Sequence, residues 1–169
     1  MSLTRNVRML TRYNAWAGQR LFEMLRGLPE DVVTAPRPTG SGSIVDTLSH
    51  AHVVDLIWQA HLLGRPHGFT TRNIETAPPL RELHDAQTQI DRWYVDYADT
   101  LSDAAHDEVV HFRFVDGGAG AMSRGDMLLH TVNHKTYHRG YVAEALYHAG
   151  LKPPVMDLPV FLRDAAPRL

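Results

Sequence analysis

The feature that most restricts the fold of this 169-residue chain is its division into four segments with helical periodicity, separated by glycine and proline. In the first segment, residues 3–26, apolar residues recur at alternating intervals of three and four, as they do on a helix that packs along one face. Gly27 and Pro29 end this segment. The predicted buried seam comprises Leu3, Val7, Leu10, Asn14, Ala17, Leu21, Met24 and Leu28.

The second and fourth segments each begin with a capping-box sequence, SIVD from Ser43 and SRGD from Ser123. In such a box the serine accepts from the first turn of the helix, and the acidic residue three positions later reaches back to the serine. The second helix is predicted to continue to Leu63 and the fourth to Gly150. About 26 residues at ~1.5 Å each make the fourth helix roughly 39 Å long.

The third predicted helix follows Pro78 and Pro79, and the connections on either side of it are long. Residues 65–79 and 102–122 leave room for crossovers, so we expect an all-α four-helix bundle with long crossover connections. Alternation around Phe112 and Phe114 indicates a short β-strand or hairpin between helices three and four. The apolar seam of the third helix comprises Leu80, Leu83, Ile90, Tyr94, Tyr97 and Leu101.

Composition limits the classes of function. The length suits a single domain, residues 1–169, and a net charge of -2 offers no basic field for a phosphate backbone, so nucleic acid is not an expected partner. No stretch approaches the ~18 apolar residues of a membrane span, and we expect a cytoplasmic protein. The chain has no cysteine, so a metal site must use nitrogen and oxygen donors.

The segment HTVNHKTYHRG in the fourth helix places a histidine at every fourth position: His130, His134 and His138. Residues four apart differ by only ~40° around a helix, so the three share one face. His130 and His138 lie about 12 Å apart along the axis, too far to bind one ion at ~2.1 Å. At most two adjacent histidines serve one metal, and spacing does not choose the pair. Imidazoles bonded to protein oxygens are the alternative reading.

A third metal ligand would have to come from another helix, and the second helix carries His50, His52 and His61. His50 and His52 lie ~200° apart around the axis, so only one of them can face the fourth helix. Both have apolar neighbours on their own side, and periodicity therefore does not decide between them.

Three segments, YNAWAGQRLFEML, TLSHAHVVDLIWQAHLLG and LLHTVNHKTYHRG, together resemble the DinB superfamily of four-helix-bundle proteins over nearly the whole chain. The resemblance implies a divalent metal held by one histidine of helix two and two of helix four. His50 fits the family position because it precedes Trp58 by eight residues and follows Leu48 by two. His52 meets neither condition.

The fourth-helix motif implies His134 and His138 as the other two ligands, with His130 a structural residue or a neighbour of the site. This chain reads HRGY where the family commonly reads HRGQ. Tyr141 lies ~20° from His134 around the helix, so we expect it to border the metal and line a pocket, or else to pack as core. Arg139, roughly 100° away, is expected to form a structural ion pair.

Three neutral imidazoles leave coordination positions open, as in a reactive site, and suit Zn²⁺ or Ni²⁺. Without cysteine, a thiol nucleophile would have to arrive as a low-molecular-weight cosubstrate. Since the resemblance includes thiol-dependent transferases and isomerases, we expect a metal-dependent enzyme that activates such a thiol, or water, for transfer to a small electrophilic substrate.

Three other functions are open: a metal-dependent hydrolase, a non-catalytic metal-binding protein with a stress-related role, and a metal-free scaffold. Homodimerisation is common in the family, and the aromatic segment DRWYVDY of helix three could supply the interface. The same aromatic residues could instead belong to the core.

Overall fold

The computed structural model describes residues 4–37 and 42–166, and it confirms the all-α four-helix bundle. The four long helices are α1 (Thr4–Leu25), α3 (Ile44–Leu62), α4 (Leu80–Thr100) and α6 (Arg124–His148). Each of them packs against two others: α1 and α3 both lie between α4 and α6. The chain therefore crosses the bundle between α1 and α3 and between α4 and α6. The crossover expected in residues 102–122 is present, but the one expected in residues 65–79 is wrong, because that connection joins the packed neighbours α3 and α4.

The predicted hairpin is present in the second crossover, where β1 (Val109–Arg113) pairs antiparallel with β2 (Ala119–Ser123). Gly117 takes a positive φ of 89° in the turn. Its second strand runs directly into α6, since Ser123 is the last residue of β2 and the N-cap of the helix. The shorter elements are α2 (Glu30–Thr34), α5 (Asp103–Asp107), β1 (Val109–Arg113), β2 (Ala119–Ser123) and α7 (Leu158–Asp164).

The two capping sequences form to different extents. At Ser43 both halves of the box are present, because the Asp46 amide donates to Ser43 Oγ and the Ser43 amide donates to Asp46 Oδ2. At Ser123 the Asp126 amide donates to the serine hydroxyl at 3.0 Å, and this is the half that the structure shows. Each cap satisfies an amide that the first turn of the helix leaves unpaired.

The seam of α1 is buried much as its spacing predicts, with Val7, Asn14, Ala17 and Leu21 all inside the bundle. Leu3 lies outside the described residues. The helix α7 packs near the middle of α1, where Phe161 contacts the ring of Tyr13 and joins a cluster that includes Ala17 of the seam.

The aromatic residues of α4 lie in or against the core. Tyr94 is buried and donates its hydroxyl hydrogen to the Asp55 carbonyl, and Trp93 and Tyr97 pack partly buried beside it. The Tyr97 oxygen accepts from Arg124. A homodimer through this helix stays a prediction. No helix among the described residues is long and apolar enough to span a membrane.

Candidate metal centre

The packing of α3 against α6 brings His50, His134 and His138 together. One ring nitrogen of each histidine lies within 4.8 Å of those of the other two. Nitrogens bound to one ion at ~2.1 Å lie no more than ~4.2 Å apart, so the arrangement is close to that of a three-histidine site. These three residues, called the histidine triad below, are a group that could hold a metal ion.

His50 and His52 turn to opposite sides of α3. His50 Nδ1 lies 2.8 Å from Asn73 Oδ1 and 3.1 Å from the Arg72 carbonyl oxygen. Both partners are acceptors, so Nδ1 carries the hydrogen and the lone pair stands on Nε2. Such a bond to an oxygen is how a metal-binding histidine is commonly oriented. His52 instead faces α4, with its Nδ1 3.0 Å from Gln87 Oε1.

The two histidines of α6 point their Nε2 atoms at each other, 3.1 Å apart. Their Nδ1 atoms are enclosed and have no hydrogen-bond partner among the described residues. If both Nε2 atoms carry lone pairs, only a cation or a donor between them relieves their repulsion, so the donor set fits a metal ion.

The electrostatic surroundings keep these rings neutral. Burial, with smaller contributions from His138 and His50, lowers the pKa of His134 to about 3. Burial and His50 lower the pKa of His138 to about 4. Neutral imidazole is the form that donates a lone pair to a metal, so both rings are ready to bind one at neutral pH.

A cavity of about 430 Å³, called the triad cavity below, opens beside His50 and His134. Its volume is that of a small-molecule site. Apolar side chains of α3 and the hairpin form one wall, and the connection between α3 and α4 forms the rim. The lining residues are His50, Val54, Ile57, Trp58, His61, Thr70, Thr71, Arg72, Asn73, Phe114, Val115, Asp116, His130 and His134.

His130 stands next to the triad without belonging to it. Its ring lies 4.5 Å from that of Trp58 and 5.8 Å from that of His134, measured between centroids. Burial lowers the pKa of His130 as well. It forms part of the cavity wall one helical turn from the ligand group.

Tyr141 borders the triad from outside the triad cavity. Its ring centroid lies 6.0 Å from that of His138, and its hydroxyl pairs with that of Tyr137 at 2.5 Å. Tyr141 is exposed and lines a separate cavity of about 210 Å³, together with Thr47 and Val142. The structure thus places it at a pocket, but a different one from that beside His50 and His134.

A second polar cluster, absent from the expectations above, lies on the neighbouring face of α6. Lys135 Nζ lies 2.5 Å from Asp91 Oδ1 and 3.2 Å from Asp55 Oδ2, and all three residues are buried. Gln87 donates to both carboxylates at 2.9 Å. Burial raises the pKa of Asp55 to about 6, although Lys135 opposes the shift. These four residues are the Lys135 cluster.

The prediction that Arg139 forms an ion pair is wrong. Within the described part of the chain, no carboxylate lies within salt-bridge distance of the Arg139 guanidinium. Arg139 is buried, donates to Asn14 Oδ1 and Thr136 Oγ1, and lies over the Tyr13 ring at 5.4 Å. Burial lowers its pKa. The seam asparagine of α1 thus serves as the acceptor for this guanidinium.

The family model described as DinB family matches residues 1–169. Protein DinB of Bacillus subtilis (strain 168) is 25% identical over 159 residues, covering 90% of this chain and 91% of that protein. The crystal structure of a DinB-like protein from Bacillus cereus ATCC 10987 has a TM-score of 0.63 at 17% identity, covering 83% of this chain and 90% of that one.

Proposed function

This chain belongs to the DinB family, and on that basis we propose that it is a metal-dependent enzyme that activates a low-molecular-weight thiol, or water, for transfer to a small electrophilic substrate. One observation supports this most directly: three imidazoles from two helices converge, and two of them, His50 and His134, line a cavity of small-molecule size. A closed structural site would surround the ion with four protein ligands, whereas three leave a position for a reactant.

His50, His134 and His138 would hold the ion, and their all-nitrogen donor set suits Zn²⁺ or Ni²⁺. When bound, a divalent ion lowers the pKa of a coordinated thiol or water to near neutrality and so supplies a nucleophile. In this proposal Asn73 and the Arg72 carbonyl keep the His50 lone pair directed at the site.

The remaining cavity residues position the reactants. Trp58, Ile57 and Phe114 offer an apolar surface for the body of an electrophile and reduce the access of water. In the transfer the thiol gives up its proton and its sulfur forms a bond to the electrophilic carbon. The bond from that carbon to the leaving group breaks with its electron pair, and the thiol proton passes to solvent.

The test begins with metal analysis of protein purified without a histidine tag. Metal-loaded protein is then mixed with cysteine as the thiol and chlorodinitrobenzene as the electrophile, and the thioether product is followed by absorbance. We expect turnover that requires metal, and loss of both metal retention and turnover in His134→Ala. His52→Ala, on the same helix as His50 but facing α4, is the matched control and keeps both.

Retained turnover in His134→Ala would overturn the proposal. Metal-dependent cleavage of a nitrophenyl ester in place of thioether formation would assign the site to hydrolysis. Bound metal with neither activity would favour a non-catalytic metal-binding protein, and absence of metal under all loading conditions would leave a scaffold.

A further inference from the structure

His61 lies in the triad cavity at a distance from the triad. It follows His50 by eleven residues on α3, which corresponds to about 16 Å along the helix axis. Both residues line the same cavity. A ligand bound at the triad and extending along α3 would therefore bring its other end to His61.

The burial of His61 calls for a partner that the described residues do not provide. The side chain is only 7% exposed and is surrounded by the rings of Trp58, Phe112 and His67, at centroid distances of 5.4, 4.7 and 5.3 Å. Neither ring nitrogen has a hydrogen-bond partner among the described residues, yet neither is enclosed as His134 Nδ1 is. The ring nitrogens are therefore accessible, and the residue to which they belong lines the triad cavity.

A buried imidazole in this position is suited to hydrogen bonding. Burial, and then the neighbouring His67, lowers the pKa of His61, so the ring is neutral at neutral pH. A neutral imidazole has one N–H donor and one lone pair. A bound ligand that shields the ring from water would leave these groups unpaired unless its own polar end forms a hydrogen bond with them.

The stretch between the triad and His61 is apolar along α3. Val54, Ile57 and Trp58 line it from the helix, and Phe114 lines it from the hairpin. Such a wall favours a hydrocarbon or aromatic segment, because burial of apolar surface is the main source of affinity there.

We propose that His61 is a specificity-determining residue that binds the far end of an elongated ligand through a terminal carboxylate or hydroxyl group. The ligand class is a thiol with an apolar middle and a polar terminus. This proposal rests on the proposed function for the thiol end, at the triad, and adds the chemistry of the other end.

The experiment uses full-length protein loaded with Co²⁺, whose absorption shows thiolate coordination directly and needs no turnover. The probes are ω-mercapto carboxylic acids and ω-mercapto alcohols of increasing chain length, each compared with the alkanethiol of equal length. We expect polar-ended thiols that are long enough to reach His61 to bind about tenfold more tightly than their methyl-ended counterparts, as one buried hydrogen bond allows. Short polar-ended thiols should show no such preference.

His61→Phe should remove the preference while leaving the affinity for alkanethiols unchanged, and His61→Gln should restore part of it. His111→Phe, on the exposed face of β1 away from the cavity, is the matched control and should behave as the wild type. Far-ultraviolet circular dichroism checks that each variant folds.

The experiment distinguishes failure of the His61 proposal from failure of the proposed thiol activation. If thiols alter the cobalt spectrum but wild-type protein shows no preference for long polar-ended probes, or if His61→Phe keeps that preference, this inference is overturned and the proposed function stands. If no thiol alters the cobalt spectrum, the thiol-activation proposal is overturned, and the role of His61 is overturned with it.

Discussion

Helix α6 contributes to two buried polar groups that lie side by side, the histidine triad and the Lys135 cluster. They differ in where the partners of their buried polar atoms come from. Lys135 lies between two carboxylates that Gln87 also bonds, so the protein supplies nearly all of the partners itself. His134, the preceding residue, faces other imidazoles and no carboxylate. A polar cluster whose partners come almost entirely from the protein is structural, whereas one made only of lone-pair donors needs a cation from outside.

The largest effect is expected from Lys135→Met, which leaves Asp55 and Asp91 buried without their cation. Breaking a buried ion pair by removing one partner typically costs ~3–5 kcal/mol of unfolding free energy. Urea denaturation of metal-free and metal-loaded protein should show this loss in both. The triple variant with Asp55→Asn and Asp91→Asn should recover much of it, and a loss below ~1 kcal/mol for Lys135→Met alone would contradict a structural role.

The triad should behave conversely, affecting stability only when metal is present. Free metal at about a hundred times its dissociation constant should raise the unfolding free energy by ~2.7 kcal/mol. His134→Ala should lose this gain in stability, because only two of the three ligands, His50 and His138, would remain to hold the ion. The measurement is urea denaturation with and without Zn²⁺. An undiminished gain in His134→Ala would place the metal elsewhere.

Acidification should change the contributions of the triad and of the Lys135 cluster to the free energy of unfolding in opposite directions. The ordinary histidine pKa is 6.5, but those of His134 and His138 are lowered by burial to about 3 and about 4. Below pH ~6.5 the unfolded state therefore takes up protons at these positions that the folded state does not, and stability falls as the pH falls. Asp55, whose pKa is raised from 3.8 to about 6, takes up its proton first in the folded state and opposes that loss.

Denaturation of metal-free protein between pH ~7 and ~4.5 measures the sum of these contributions. We expect a net loss of stability on acidification, moderated by solvent that reaches the half-exposed His134 ring. The double variant His134→Gln, His138→Gln should have a shallower dependence. An unchanged slope would show that the two rings do not titrate as their burial requires.

The smallest change in stability is expected from His52, which lies only two residues from the metal-site residue His50. His52→Phe removes the hydrogen bond to Gln87 at the edge of the Lys135 cluster and should cost ~1 kcal/mol without changing metal affinity. His50→Phe should remove metal binding. Isothermal titration with Zn²⁺ and urea denaturation of the two variants give the comparison, and loss of metal affinity in His52→Phe would contradict it.

Helix positions follow from local sequence, because the punctuating prolines, the serine caps and the apolar period all act within one segment. The choice of ligands does not follow from local sequence. Helix α3 packs on both α4 and α6 and is apolar on most of its sides, so its period holds no information on which face His50 and His52 occupy. The family resemblance, not the spacing, selected His50 and the His134–His138 pair.

Contacts between distant segments account for what the sequence did not reveal. Asn73 lies in an irregular connection, and nothing in its sequence context predicts that it orients His50. In the Lys135 cluster, Lys135 pairs with Asp91, 44 positions away on α4, and with Asp55, 80 positions away on α3. The cluster's one local sign is a charged residue within an apolar run, as Asp55 is within VVDLIW. Such a sign indicates burial with a partner but does not identify the partner.

A ligand set made only of imidazoles has a consequence for the chemical durability of the site. Thiolate ligands are oxidised by peroxide to sulfenic and higher acids and then release their metal. The triad contains no sulfur, and the chain contains no cysteine that could form a mixed disulfide next to it. The protein's own ligands would therefore keep their donor atoms under oxidising conditions that would remove the metal from a sulfur-based centre.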